Sequence, residues 1–258
     1  MNIGFEFIKY SLNAKGRQGI HSPFVYNLMD KVLSRPISSE IKHRQKALFA
    51  ELRSDNTSID FEEFGAGSKK LGKQRTVKQI FTTNSTHKKY GDLLIRIMQC
   101  YQPMSVLELG TSLGTGTLQM HWGNPLAKIT SIEGCKETFA VAKKNILNHS
   151  LNDQIHTKNC TFQDYFNEPI TELFDLVFID GHHDGNSLIE YVKKLEKHTH
   201  NDTIFILDDI RWNNDMFSAW NKLSSDHQYH LTIDFFKMGL LIRQPNKQKE
   251  HFTLRKSV

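Results

Sequence analysis

Apolar positions in this chain fall into two kinds of block, and from residue 105 onward the two alternate. The first kind is a short continuous run: Val106 to Leu109 (broken only by Glu108), Ile129 to Ile132, a weaker Gln154 to Cys160, Phe174 to Ile179, and Thr203 to Leu207. The second kind spaces its apolar residues three or four apart: Phe139, Ala142, Ile146 and Leu147, then Leu188, Ile189, Val192 and Leu195, then Met216, Phe217 and Trp220. Short apolar runs predict buried strands, and the 3.6-residue spacing predicts amphipathic helices. Their alternation predicts a doubly wound α/β fold, a mostly parallel sheet covered on both faces. Two last runs, Tyr229 to Phe236 and Met238 to Ile242, are joined through Phe236-Lys-Met-Gly and predict an antiparallel hairpin.

Upstream the pattern is helical. Gly16, Gly19, Pro23 and Pro36 break residues 1–55 into pieces. Ser22 is placed to cap a helix with Pro23 at its first position, and Phe24, Val25, Leu28, Met29 and Val32 then share a face. Residues 77–100 predict a further helix ended by Pro103. Phe61-Glu-Glu-Phe-Gly-Ala-Gly-Ser imitates a ligand turn, but a basic loop, Lys69 to Arg75, follows it instead of an amphipathic helix. That loop is expected to be a connector or a lid. The expected organisation is a helical cap over 1–80, a ligand-binding domain over 81–245, and a polar tail over 246–258.

The stretch Ser105 to Met120, S-V-L-E-L-G-T-S-L-G-T-G-T-L-Q-M, adds chemistry to this frame. A buried strand runs into Gly110, Gly114 and Gly116 and then into a helix. Such glycines let the backbone approach a ligand, and the helix start offers N–H groups to an anionic part of it. Glu133, 23 residues after Gly110, ends the second strand. An acid there suits ribose hydroxyls, which implies a nucleoside. The spacing G-x-x-x-G-x-G differs from the dinucleotide pattern, and Glu108 suits a cation better than a phosphate.

The block Glu108-Leu-Gly-Thr-Ser-Leu-Gly-Thr-Gly with Glu133 downstream resembles the first two motifs of class I S-adenosylmethionine-dependent methyltransferases. The resemblance implies a seven-stranded Rossmann-like sheet closed by the C-terminal hairpin. It implies S-adenosylmethionine as cofactor, held by Glu108, Gly110, Thr111, Ser112, Gly114, Glu133, Asp164 and Asp180. Asp164 follows the third strand, where the superfamily places a partner for the adenine amine. Two later segments, Val177-Phe-Ile-Asp-Gly-His-His-Asp184 and Phe205-Ile-Leu-Asp-Asp-Ile-Arg-Trp212, are similar to the catechol and caffeoyl-coenzyme A O-methyltransferases and their bacterial relatives. Metal-dependent members hold Mg²⁺ on an Asp after the fourth strand and an Asp-Asn pair after the fifth, matching Asp180, Asp208 and Asp209. Here Asp209 stands where they have Asn, so both a Mg²⁺ reading and a metal-free one stay open. In the metal-free reading Asp180 and Asp208 position the acceptor or pair with Arg211. His183 occupies the position of the relatives' catalytic lysine and is expected to be the base, with Asp180 beside it in catalysis and His182 as its competitor.

The remaining features set bounds. The chain has 258 residues and a net charge of +5, and no apolar run approaches the ~18 residues of a membrane span. No signal-peptide pattern opens it. Cys100, Cys135 and Cys160 have no metal-ligand spacing, which fits a reducing, cytoplasmic setting. Residues 1–100 carry 17 Lys and Arg against 9 Asp and Glu. A solvated helical surface explains this excess, and contact with RNA is the other reading. The expected function is methyl transfer to a hydroxyl of a small or medium-sized acceptor. Ribose 2′-OH methylation of RNA and a non-catalytic cofactor-binding module are the alternatives, and a nicotinamide dehydrogenase is a third that the glycine spacing weakens. The oligomeric state is open, with a dimer allowed.

Overall fold

The computed structural model describes residues 2–16, 25–26, 29–61, 73–84, 88–245 and 247–255. The expectations at His21, Ser22, Pro23, Phe24 and Leu28 lie outside the described residues, as do those for 62–72 and 85–87. The chain begins with α1 (Ile3–Asn13), a π-helical turn (Met29–Leu33), α2 (Ser39–Ser54), β1 (Ser58–Phe61), β2 (Lys73–Thr76), α3 (Val77–Asn84) and α4 (Lys88–Tyr101). The alternating part follows: β3 (Ser105–Leu109), α5 (Thr115–Gly123), β4 (Lys128–Glu133), α6 (Lys136–His149), β5 (Ile155–Asn159) and α7 (Phe162–Asn167). It continues through β6 (Phe174–Ile179), α8 (Gly185–Leu195), β7 (Thr199–Leu207), α9 (Asn214–Ser225), β8 (Leu231–Asp234), β9 (Gly239–Ile242) and β10 (Glu250–Thr253). Two compact units divide the chain: Arg35–Pro169, and Met1–Ser34 together with Ile170–Val258.

In the unit Arg35–Pro169, β3, β4 and β5 pair in parallel. Leu109 faces Ile132, and Glu133 faces Asn159, so the strands finish together. Leu48, Phe49 and Leu52 of α2 share one core with Val77, Ile80 and Phe81 of α3 and with Leu113, Leu118 and Trp122 around α5. Each such side chain contributes about 1.5–3 kcal/mol by leaving water, so α2 is built into this unit by its apolar face. Ser38 caps α2 by accepting from the Ile41 N–H at 3.3 Å. β1 and β2 form an antiparallel pair, Ser58 opposite Thr76 and Phe61 opposite Lys73, flanking and entering the loop expected to be a connector or a lid. Alternation over four residues is too brief to read, yet Ile59 and Phe61 are buried in the same core.

In the unit of Met1–Ser34 and Ile170–Val258, β6 and β7 are parallel, β7–β9 and β9–β8 are antiparallel, and β8–β10 is parallel. The hairpin expected near residue 236 is therefore present. A Cβ on Gly239 would sit 2.4 Å from the Trp220 ring, so the return strand must start with glycine. β10 lies in the segment expected to be a polar tail. Buried Phe252 and Leu254 pin it, the Tyr10 hydroxyl donates to the Leu254 carbonyl at 2.5 Å, and the Lys15 N–H donates to the Thr253 carbonyl at 2.8 Å. With β3, β4 and β5, the described residues give eight such strands where seven were expected. No helix among the described residues is long and apolar enough to cross a membrane. The three cysteines are free thiols.

Candidate active site

β3 delivers the chain into the glycine turn. Gly110 (φ 108°) and Gly114 (φ 81°) both take left-handed backbone, which a side chain would strain, and Ser112 between them is also positive at 49°. The Gly110 and Thr111 N–H groups donate to the Ile132 carbonyl at 3.0 and 3.1 Å, and the Gly114 N–H donates to the Thr111 carbonyl at 2.8 Å. The turn is therefore stitched to the end of β4. Glu133 completes the stitch: one carboxylate oxygen accepts from the Ser112 N–H at 2.8 Å and the other from the Cys135 N–H at 2.9 Å. Burial pushes the Glu133 carboxyl up, and the N–H groups of Cys135, Ser112 and Gly134 pull it back.

Glu108 lies under this turn, 1% exposed. Its Oε2 accepts from the Thr117 and Ser131 hydroxyls, and the Ser131 hydroxyl is 2.6 Å from that of Thr111. Its Oε1 is buried with no hydrogen-bond partner. Burial, offset in part by those hydroxyls, pushes its pKa up to about 7. A buried oxygen without a donor costs about 1–3 kcal/mol, so this position is set for one. Asp164 is exposed in the first turn of α7, which Thr161 caps: the Thr161 hydroxyl donates to Asp164 Oδ2 at 2.6 Å, and the Asp164 N–H donates back to Thr161 Oγ1 at 3.1 Å.

The second group of predicted residues is in the other unit. Ile179 faces Leu207 in the β6–β7 register, so Asp180 and Asp208 leave their strands side by side, with the Asp208 N–H on the Ile179 carbonyl at 2.9 Å. Asp180, His183 and Asp209 each offer an atom within 4.8 Å of the others. His183 Nε2 is 3.8 Å from Asp209 Oδ2, its Nδ1 has no hydrogen-bond partner, and its ring lies 5.2 Å from that of Trp212. His182, His183 and Asp209 all have positive φ, a strained conformation that persists only where the surroundings impose it. His182 Nδ1 is 2.5 Å from the Tyr191 hydroxyl, and burial lowers its pKa.

A cation that sequence reading missed sits among these acids. Lys237 Nζ donates to Asp208 Oδ2 at 2.8 Å and lies 3.4 Å from Asp209 Oδ1. Burial alone would lower the Lys237 pKa, but the charges of Asp208, Asp180 and Asp209 together raise it, so the amine stays protonated. Asp209 is pushed up by burial and by Asp208, against the pull of Lys237 and His183. Arg211, which the metal-free reading offered as one possible partner for Asp180 and Asp208, makes a two-pronged pair with buried Asp234 at 2.8 and 2.6 Å.

Residues 107–210 match a family model described as a methyltransferase domain. That match runs from β3 through the end of β7 and takes in the glycine turn, Glu133, Asp180, Asp208 and Asp209. Solved structures share its fold. An O-methyltransferase from Bacillus cereus, in complex with SAH, is 16% identical, covers 83% of this chain and 94% of its own, and has a TM-score of 0.55. The cofactor-bound Rv0187 from MTB is 15% identical over 87% and 98% of the two chains, with a TM-score of 0.59. The SAH-bound methyltransferase PaMTH1 from Podospora anserina is 16% identical over 81% and 97%, with a TM-score of 0.55.

Among the methyltransferase residues predicted from sequence, Glu108, Gly110, Thr111, Ser112, Gly114 and Glu133 come together in one unit, and Asp180, His183, Asp208 and Asp209 in the other. The turn's own N–H groups at Gly110, Thr111, Ser112 and Gly114 already have acceptors within the chain. Donors for a ligand are then the first-turn N–H groups of α5, which no intrahelical partner takes. Lys237 escaped notice because it is 29 residues from Asp208. Its one local signal was its place in the expected hairpin turn.

Proposed function

We propose that this methyltransferase transfers the methyl group of S-adenosylmethionine to a hydroxyl of a small or medium-sized acceptor. The observation that carries the cofactor half is the Glu133 carboxylate, fixed by two backbone N–H groups at the glycine turn. Each of its oxygens keeps a second lone pair for a ribose hydroxyl. The orphaned Oε1 of Glu108 suits the cofactor's ammonium, and the α5 N-terminus suits its carboxylate. Asp164 is the residue proposed for the adenine amine, with its bonds to Thr161 retained.

When bound, the cofactor supplies an electrophilic methyl carbon on a sulfonium. His183 takes the proton of the acceptor hydroxyl. The acceptor oxygen, relieved of its proton by His183, would take the methyl, while the cofactor's sulfur would keep the electron pair of the broken carbon–sulfur bond as a thioether. Asp209 near His183 Nε2 stabilises the imidazolium that results. His182 is engaged by Tyr191 and is the poorer base.

The test is a turnover assay with radiolabelled cofactor against a panel of hydroxylated small molecules. His183→Ala should lower kcat by about 10²–10⁴ on any substrate found, with SAH affinity unchanged. A variant with unaltered turnover removes His183 from the mechanism. Label moving only to amines or thiols removes the hydroxyl assignment.

A further inference from the structure

Three carboxylates at strand ends repel one another unless something positive joins them. The relatives' pattern fills that need with a divalent ion, through Asp180, Asp208 and Asp209. In this chain the positive charge is already covalently present. The turn between β8 and β9 brings Lys237 to Asp208 and Asp209, its carbonyl accepting from the Ile210 N–H at 2.9 Å. Arg211 locks the same turn by donating to Asp234 and to the Phe236 carbonyl at 2.8 Å, with its guanidinium 4.7 Å from the Phe217 ring. Lys237 is thus delivered by a braced hairpin rather than by a loose surface loop.

We propose that the Lys237 ammonium is the resident cation of the Asp180–Asp208–Asp209 cluster, in place of a divalent metal. A metal would have to share Asp208 and Asp209 with an ammonium already 2.8 and 3.4 Å from their oxygens. It would also have to do so in a half-buried site, where like charges are poorly screened. Asp180, His183 and Asp209 alone could gather around an ion, but Asp209 is one of the two acids the lysine holds. The cluster therefore does not fit Mg²⁺ as the relatives' triad does. The consequence for the proposed methyl transfer is that it runs without added metal, with Lys237 as a fixed positioning charge. The inference rests on the methyltransferase reading for that consequence only; the occupation of the acid cluster stands on Lys237 itself.

The experiment is a Mn²⁺ titration of the full chain, followed by electron paramagnetic resonance, on wild type and Lys237→Met. Wild type should show no stoichiometric site up to about 1 mM, the weak end for oxygen-ligand sites. Lys237→Met should gain one site at least about tenfold tighter, because the acids lose their internal cation. One tight site in wild type overturns the inference, as does Lys237→Met with no gain and an unchanged melting curve. If Lys237→Met does not fold, the wild-type titration decides alone. A parallel SAH titration in EDTA separates the two readings. Absent SAH binding sinks the proposed function while leaving the metal result intact, and SAH binding alongside a tight Mn²⁺ site sinks only the inference.

Discussion

Two regions of this chain bury carboxylates, and they satisfy them by opposite means. At the glycine turn, Glu108 and Glu133 receive only neutral donors: hydroxyls of Thr117 and Ser131, and N–H groups of Ser112 and Cys135. One oxygen of Glu108 receives nothing. Around Asp208, Asp209 and Asp234 the donors are cations of the chain itself, Lys237 and Arg211. Neutral donors leave the negative charge uncompensated, which is what the proposed ammonium contact at Glu108 would use. The second region balances much of its charge internally.

Breaking the internal pairing should have the largest effect. Arg211→Met leaves Asp234 buried without its partner and is expected to cost about 3–5 kcal/mol of stability, measured by urea denaturation. A loss below about 1 kcal/mol would mean the pair is as weak as a surface one, and the contrast between the regions would collapse. Next comes the pH behaviour of Glu108. Its folded pKa of about 7 lies above the ordinary 4.5, so folding favours the protonated form. Its contribution to stability is fully present below about pH 4.5 and is lost as pH rises through about 7, a fall of about 3 kcal/mol. Glu108→Gln should flatten that fall in melts taken across the window. An unchanged slope would assign the pH dependence elsewhere. The smallest effect is at Asp164. Thr161→Ala should cost about 1 kcal/mol as a lost helix cap, seen as a small drop in Tm. A loss of SAH affinity in that variant would show that the cap also sets the adenine contact.

The strand–helix alternation was legible because continuous apolar runs such as Phe174–Ile179 and the spaced faces of α8 leave little else to fold into. The glycine turn was legible for the same kind of reason: Gly110 and Gly114 both need left-handed backbone, and that need writes itself into sequence. Strand β10 was not, because only Phe252 and Leu254 of its neighbourhood are apolar, and its pairing to β8 depends on contacts with Tyr10 and Lys15 far away in the chain. Lys237 was hidden by distance too. A lysine in a hairpin turn is ordinary until the register of β7 and β9 brings it to Asp208. Arg211 misled in the opposite way, being close to Asp208 in sequence but drawn to Asp234 by a buried two-pronged bond. Local backbone demands read well; charge partners chosen by tertiary register do not.

The central claim is that the nucleoside end of the cofactor is held by Glu133 at the glycine turn. Isothermal titration of SAH into the intact chain and into Glu133→Ala tests it most directly. The account predicts one site per chain in wild type and an affinity at least about 100-fold weaker in the variant, as expected for losing charge-assisted hydrogen bonds. No uptake by wild type, or equal affinity in both proteins, would contradict it.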